Sequence, residues 1–552
     1  MNGLMMQQRL LISSLLVHAE RHHGEQVVVS RRVEGDVHRQ TFRELAARAR
    51  RLAGALDALG LPTHATVGTL AWNGYRHMEL YYAVSGSGRV LHTINPRLHE
   101  EQLTYVIDHA QDLVLCFDLS FLPLVERLAP QLSGVRHYVL MCDRERMPAS
   151  SRLPGLRCYE DLIAAQDDHY AWPELDEQSA SSLCYTSGTT GHPKGVLYSH
   201  RSTVLHTMAS AWPDALNLSA RDVVLPVVPM FHVNAWGLPY AACMVGAKLV
   251  LPGPALDGAS LYELFESEGV TLSAGVPTVW QSLLAYVDGH SRSFSTMRRT
   301  IIGGSACPPT MMRRFQDTYG VEVVHAWGMT ELSPIGTVCQ LKPAHLALGH
   351  EARETQQAKQ GRAVFGIDMK IVDAAGRELP WDGRTPGELM VRGPWVMAEY
   401  LRQGSASPVQ TDAQGHGWFP TGDMATIDAD GFMQITDRTK DVIKSGGEWI
   451  SSIDIENLAM SHPAVAMAAC IGVPHPKWDE RPVLLIVRRS DHPIDSQQLL
   501  EFLEGKIARW WTPDAVIFVD SLALGATGKV QKAVLREQHR ELLSGDAPRG
   551  AA

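Results

Sequence analysis

One stretch of the chain reads Tyr185-Thr186-Ser187-Gly188-Thr189-Thr190-Gly191-His192-Pro193-Lys194-Gly195. Its glycines carry no side chain, so backbone N–H groups there can close on a phosphate. Thr186, Ser187, Thr189 and Thr190 add hydroxyl donors, and Lys194 adds a positive charge. Together these groups suit a polyphosphate. They do not make a Walker A loop, which needs glycine directly before the lysine and Ser or Thr after it. Here Pro193 precedes Lys194 and Gly195 follows.

Further segments hold reactive or charged groups in a fixed order. Ala326-Trp327-Gly328-Met329-Thr330-Glu331 offers a flat aromatic ring and a carboxylate, and Thr421-Gly422-Asp423 offers a second carboxylate. Asp437-Arg438-Thr439-Lys440-Asp441 is a charged cluster. Lys444-Ser445-Gly446-Gly447-Glu448-Trp449-Ile450 follows with a glycine pair, and Gly528-Lys529 stands near the C-terminus. Singly, each has an ordinary reading: an Asp in a turn, a Trp in a core, a Glu opening a helix, a solvated Lys. As an ordered set with matching spacing along nearly the whole chain, they resemble the adenylate-forming superfamily. That superfamily holds acyl-CoA synthetases, aryl-CoA ligases, peptide-synthetase adenylation domains and firefly luciferases. Lys444 to Ile450 resembles its medium- or long-chain fatty-acyl branch.

The resemblance implies an AMP-forming acid–thiol ligase that uses ATP, Mg²⁺ and coenzyme A. An anion must then approach a polyanion, so fixed positive charge, metal and oriented N–H groups have to offset the repulsion. The implied catalytic set is Lys529, Glu331 and His232. Lys529 would bridge the carboxylate and the α-phosphate. The loop from Thr186 through Ser187, Gly188, Thr189, Thr190 and Gly191 to Lys194 would hold the outer phosphates. Thr186 and Glu331 would support Mg²⁺, a hard cation that prefers oxygen. Asp423 is acceptor-only when ionised and would take two ribose hydroxyls, backed by Arg438. Trp327 would stack on adenine, where many relatives have Tyr, and Gly304 would allow close backbone approach. Val233, His325, Ala326, Gly328 and Thr330 complete the implied nucleotide set. Lys440 occupies the hinge, about which a C-terminal domain would turn between half-reactions. Lys444, Gly446, Gly447 and Trp449 would then serve the coenzyme A side, the small residues leaving room for the pantetheine arm. There is one departure: where relatives commonly have Pro-Lys/Arg-Thr before the catalytic lysine, this chain has Ala523-Leu524-Gly525.

The acid is read from Met230-Phe231-His232-Val233-Asn234-Ala235-Trp236. Amino-acid-activating relatives place an Asp just after the equivalent Phe, and His232 stands there instead. The rest of the segment is apolar, as is Leu238 to Val245, which favours an alkyl tail. Trp236 is the substrate-lining candidate, with ordinary core packing as its other reading. Methylthio-propionate ligases resemble this segment too, so a short thioether acid stays open beside a medium- or long-chain fatty acid.

The elements that must position these groups alternate. Phe42 to Leu59 has the spacing of a helix with one apolar face, stopped by Gly60 and Pro62. Thr66 to Ala71 and Leu113 to Phe117 read as buried strands, with the helix-like Glu100 to His109 between them. This predicts α/β layers with largely parallel sheets. The last stretch differs: a strand over Phe432 to Thr436, a helix over Ile453 to Ser461, strands over Ala466 to Val473 and Val483 to Val487, and a helix over Gln497 to Trp510. The expected organisation is an AMP-binding region over 1–436, a hinge at 437–440, a small mobile α+β lid over 441–543 and a tail over 544–552. The resemblance adds that the large region holds two doubly wound subdomains and a distorted β-barrel.

With 552 residues the chain exceeds one ordinary core. Its net charge of -10 excludes a general nucleic-acid binder. Eight scattered cysteines form no C-x-x-C pair, which argues against a zinc site or disulfide framework and fits a reducing, cytoplasmic compartment. No stretch reaches the ~20 apolar residues of a membrane span. Leu10 to Val17 reads as an amphipathic first helix, with a weak signal-peptide resemblance beside it. The small-molecule acid, ATP and coenzyme A are the expected partners, and the resemblance also admits a homodimer.

Overall fold

The computed structural model describes residues 1, 3–186, 192–402, 407–446, 448–489, 493–525 and 529–543. The helix predicted from Phe42 spans Phe42–Ala58 and starts with a capping box, Thr41 accepting from the Glu44 N–H while the Glu44 side chain reaches back to Thr41. The apolar N-terminal stretch forms the helix Ile12–His23, which buries Ile12, Leu15, Leu16 and Ala19. No helix among the described residues is long and apolar enough to cross a membrane. All eight cysteines are buried and unpaired.

Two large sheets carry the site. In the seven-stranded sheet the strands Arg157–Cys158, His137–Met141, Asp112–Asp118, Thr66–Leu70, Val90–Thr93 and Ala180–Tyr185 lie side by side in parallel, and Gly195–Ser199 closes one edge antiparallel. In the nine-stranded sheet a parallel centre runs from Glu322–Gly328 through Arg299–Ile302, Leu272–Gly275, Val223–Pro226 and Lys248–Leu251 to Val27–Arg31, with antiparallel strands at both edges. Near-continuous burial of these strands is what parallel sheets covered on both faces require. The expected barrel takes the form of a five-stranded antiparallel sheet around Asp368–Val372, Gly387–Arg392, Gly417–Ile427 and Met433–Arg438, and no closing pair occurs among the described residues. A further five-stranded sheet follows, from Ile443–Ser445 to Ala515–Phe518, with Val465–His475 and Asp479–Arg488 as its long hairpin.

Several boundaries differ from expectation, and the strands expected over Ala466 to Val473 and Val483 to Val487 extend to Val465–His475 and Asp479–Arg488. The strand expected to stop at Thr436 runs on to Arg438, because Asp423 and Met424 pair with Arg438 and Asp437. The helix expected to reach Trp510 ends at Leu503, since Gly505 takes φ 75° and Trp510 sits in a separate short turn, Arg509–Trp511.

Gly68, in the central strand of the seven-stranded sheet, shows why a buried strand spends a residue on glycine. A Cβ there would lie 2.7 Å from Asp112 Oδ2. Its absence lets His92 and Asp112, from the two flanking strands, join across it at 2.8 Å with both side chains fully buried. Gly68→Ala should break or bend this contact and lower unfolding stability by about 1–3 kcal/mol, the cost of leaving a buried polar pair unmade. Thermal melting checks this, and an unchanged Tm would show that Asp112 can move at no cost.

Candidate functional site

The carboxyl ends of parallel strands are where an open α/β sheet presents groups to a ligand. Here Ala180–Tyr185 runs into Thr186, Arg299–Ile302 into Gly303 and Gly304, and Glu322–Gly328 into Thr330 and Glu331. The residues 187–191, which include the candidates Ser187, Gly188, Thr189, Thr190 and Gly191, lie outside the described residues, as does Gly447. The two ends of that loop are tied together: the Thr186 N–H donates to Lys194 O at 2.9 Å and the Lys194 N–H donates to Thr186 Oγ1 at 3.2 Å.

Lys194 leads to Glu331. Its ammonium stands 4.8 Å from the centre of the Tyr400 ring, and the Tyr400 hydroxyl donates to Glu331 Oε1 at 2.8 Å. Glu331 is 7 % exposed, and burial raises its pKa against the opposing pull of Tyr400. A buried carboxylate of this kind is stabilised by any cation brought to it. Tyr400 escaped the sequence reading because nothing near it in the chain marks it.

Asp423 is also buried, and each of its oxygens already faces a donor. The Trp327 indole N–H donates to Oδ2 at 3.0 Å, and Arg438 Nε lies 3.7 Å from Oδ1. A carboxylate has about four acceptor positions, so hydroxyls can still be received. Trp327 is 8 % exposed and packs over Gly336, where a Cβ would meet the ring at 2.4 Å. The Trp in place of a Tyr therefore does more than offer a flat face: it orients Asp423. Gly328 is required in the same way, since a Cβ would lie 2.1 Å from Pro334 O. Tyr198 donates to Thr330 O at 2.6 Å. The two ring nitrogens of His325 are committed inside the protein, Nε2 to the Cys307 N–H at 3.3 Å and Nδ1 to Ala358 O at 3.0 Å. His325 thus holds the turn after Gly304, and Ala326 O lies 2.9 Å from where a Gly303 Cβ would stand.

Lys529 comes from the far end of the chain into this group. Its Cε is 4.0 Å from the place a Gly304 Cβ would occupy, and Gly304 has φ 80°. Burial pulls its pKa down to about 8, with Arg438 adding to the shift and Asp423 and Glu331 opposing it. His232 is neutral at physiological pH, held at a pKa of about 4 by burial and by Lys529. Thr186, Phe231 and His232 line one small pocket.

The segment after His232 is strained. Val233, Asn234, Ala235 and Trp236 have φ of 47°, 50°, 50° and 57°, one left-handed turn without a glycine. Each such residue costs roughly 1–2 kcal/mol. Asn234, buried, offsets part of this by donating from Nδ2 to Ser182 Oγ at 3.1 Å and accepting from Thr93 and Cys184 at Oδ1. The turn lays the Trp236 ring against Gly303 and Gly304, 3.1 Å and 4.0 Å from their absent Cβ positions. Among the remaining candidates, Lys440, Lys444, Gly446 and Trp449 are exposed. Gly446 takes φ 61° and donates its N–H to Trp478 O at 2.8 Å.

Comparison with known proteins gives the family. Residues 15–401 match the AMP-binding enzyme family, and residues 454–529 match the AMP-binding enzyme C-terminal domain. The 3-methylmercaptopropionyl-CoA ligase of Ruegeria lacuscaerulensis is 54 % identical, over 99 % of this chain and 100 % of its own. The medium-chain-fatty-acid–CoA ligase of Ectopseudomonas oleovorans is 53 % identical, over 98 % of each chain. Among solved structures, the anthranilate CoA ligase AuaEII in complex with anthranoyl-AMP superposes with a TM-score of 0.86 over 98 % of this chain and 99 % of its own, at 24 % identity.

The Lys529 ammonium is charged below about pH 8 and loses its proton above it. A polyphosphate that binds the charged form must restore that proton at high pH. Affinity of the free protein for an adenosine polyphosphate should therefore fall as pH rises through 8, approaching tenfold per unit. Titration calorimetry from pH 7 to 9 measures this. Lys529→Arg, charged throughout, should flatten the profile; a decline that persists in that variant would assign it to another group.

Proposed function

The chain belongs to the AMP-binding enzyme family and is an acyl-CoA ligase, and from that premise we propose that it activates a medium-chain fatty acid. The observation that carries the proposed site is Lys529 beside Gly304, facing Asp423 and Glu331. In the first half-reaction the acid's carboxylate oxygen bonds to the α-phosphorus of ATP, the bond to the bridging oxygen breaks, and pyrophosphate leaves. Lys529 sits where positive charge offsets the approach of that carboxylate, and preorganised charge of this kind acts on the transition state. Asp423, oriented by Trp327 and Arg438, takes the ribose hydroxyls. Glu331 and Thr186 fit Mg²⁺, because the buried Glu331 carboxylate favours a cation and both residues offer oxygen. A Mg²⁺ held there would supply positive charge toward the departing pyrophosphate.

In the second half-reaction the thiol sulfur of coenzyme A bonds to the acyl carbon, AMP leaves with the electron pair of the acyl C–O bond, and the thiol proton is released. The hinge at Lys440 would turn residues 441–543 so that the Gly446 turn replaces Lys529 at the site. Gly446 and Gly447 would leave room for the pantetheine arm. The buried, unpaired cysteines support a reducing compartment such as the cytoplasm.

The apolar residues Phe231, Val233 and Trp236 of the Met230 to Trp236 segment support an alkyl tail. A second reading, 3-methylmercaptopropionate, is favoured by the relatives at 54 % identity. Thioester formation assayed with C2 to C18 acids and with that thioether acid separates the two. The medium-chain reading expects kcat/KM to peak between C6 and C12; a maximum at the thioether acid would replace it. Trp236→Ala should shift the ratio between a C4 and a C12 acid by several-fold, each misfitted methylene being worth about 1–3 kcal/mol, with the KM for ATP unchanged. A lowered Tm with the same acid profile would make Trp236 a core residue only.

A further inference from the structure

The loop bearing Lys529 has Ala523-Leu524-Gly525 where relatives commonly have Pro-Lys/Arg-Thr. Two backbone bonds close its neck, the Gly525 N–H donating to Lys529 O at 2.7 Å and the Gln531 N–H to Ala523 O at 2.8 Å, and Ala523 and Val530 pack against the apolar cluster of Leu522 and Leu535. Leu524 bridges Val530 between the two bonds.

Lys532 is the first residue of the helix Lys532–Gln538. Its ammonium lies 2.7 Å from Glu456 Oε1 and 2.6 Å from Ser452 Oγ, and its side chain is only 11 % exposed. Glu456 is itself fixed by the Cys470 N–H at 2.7 Å. The Ser452 N–H donates at 2.7 Å to Asp437, whose backbone belongs to the antiparallel sheet before the hinge. Burial works against the Lys532 ammonium, but Glu456 and Asp437 outweigh it and raise the pKa. One turn along the same helix, Arg536 pairs with Asp441 at 2.6 Å. The helix that begins at the foot of the Lys529 loop is thus held to both sides of the hinge segment.

We propose that Lys532 is a positioning residue for the first half-reaction: pinned to Glu456 and Ser452 and facing Asp437, it fixes the direction in which Lys529 enters the site. This rests on the reading of Lys529 as the adenylation lysine. A buried ion pair whose only task was stability would serve both half-reactions alike. One that aims Lys529 matters only while Lys529 is in use.

The test measures the two half-reactions separately: pyrophosphate release from acid and ATP, and thioester formation from pre-formed acyl-adenylate and coenzyme A. A displacement of about 1 Å can cost on the order of 10²-fold. Lys532→Met should lower kcat for pyrophosphate release by about that factor, with the KM for ATP little changed and thioester formation kept. Lys532→Arg should recover most of the loss. Ser452→Ala leaves the ion pair intact and strands no buried charge, so it keeps the test decisive if Lys532→Met does not fold. It should lose several-fold in pyrophosphate release alone. Equal losses in both half-reactions, or no loss in Ser452→Ala and Lys532→Met, would overturn the proposal. Lys529→Ala is the control: if it leaves pyrophosphate release intact, the reading of Lys529 fails, independently of what Lys532 does.

Discussion

A cation is carried from one end of the chain into a pocket built by another, and water has to be left behind on the way. Burial and the nearby Arg438 both disfavour the Lys529 ammonium, while Asp423 and Glu331 favour it. Those two carboxylates are buried and pay the same desolvation penalty, so each is held by donors of its own. Trp327 and Arg438 hold Asp423; Tyr400 holds Glu331 and passes the connection on to Lys194. The result is a set of charges fixed before a ligand arrives. In the proposed first half-reaction nothing in this set would have to reorganise as negative charge moves through it, which is the condition under which electrostatics accelerates a reaction.

The glycines follow from the same constraint. Gly328 and Gly336 leave the space that lets Trp327 reach Asp423, since side chains there would strike Pro334 and the indole. Gly304 leaves the space that Lys529 enters. None of these positions is a flexible hinge; each is a place where a second group has to come close.

The segments that meet at the candidate site were legible because their chemistry is local. Thr186, Asp423 and Lys529 each sit in a short run whose residue types suit a phosphate, a hydroxyl pair or an anion. The alternation of helices and strands was legible for the same reason, down to the capping box that starts the helix at Phe42. What stayed hidden depends on contacts between distant residues. Tyr400 has no local mark, and it meets Glu331 only through tertiary packing. The indole bond of Trp327 needs Asp423, which lies on another sheet. The left-handed turn at Val233 to Trp236 runs against the intrinsic preference of every residue in it, so no reading of propensities would find it. It is maintained by Asn234, whose partners come from two strands of the other large sheet.

With Trp236 lining the acyl pocket as proposed, that turn would join the choice of acid to the chemistry. It presses Trp236 against Gly303 and Gly304, and Lys529 approaches the same Gly304. The wall of the proposed acyl pocket and the seat of the ammonium are therefore two sides of one pair of residues. An acid that pushes the indole outward acts on the backbone against which Lys529 rests. A tail that leaves the ring in place leaves that seat undisturbed. Protein interiors are packed too closely to absorb such a push locally, so fit at Trp236 and placement of Lys529 cannot vary independently. On the proposed reading, discrimination between acids would then include a contribution from how well the lysine is seated, in addition to the contacts made by the tail itself. The strain in the turn is consistent with that role, because a four-residue segment held against its own preference keeps Trp236 in place only as long as Asn234 stays anchored.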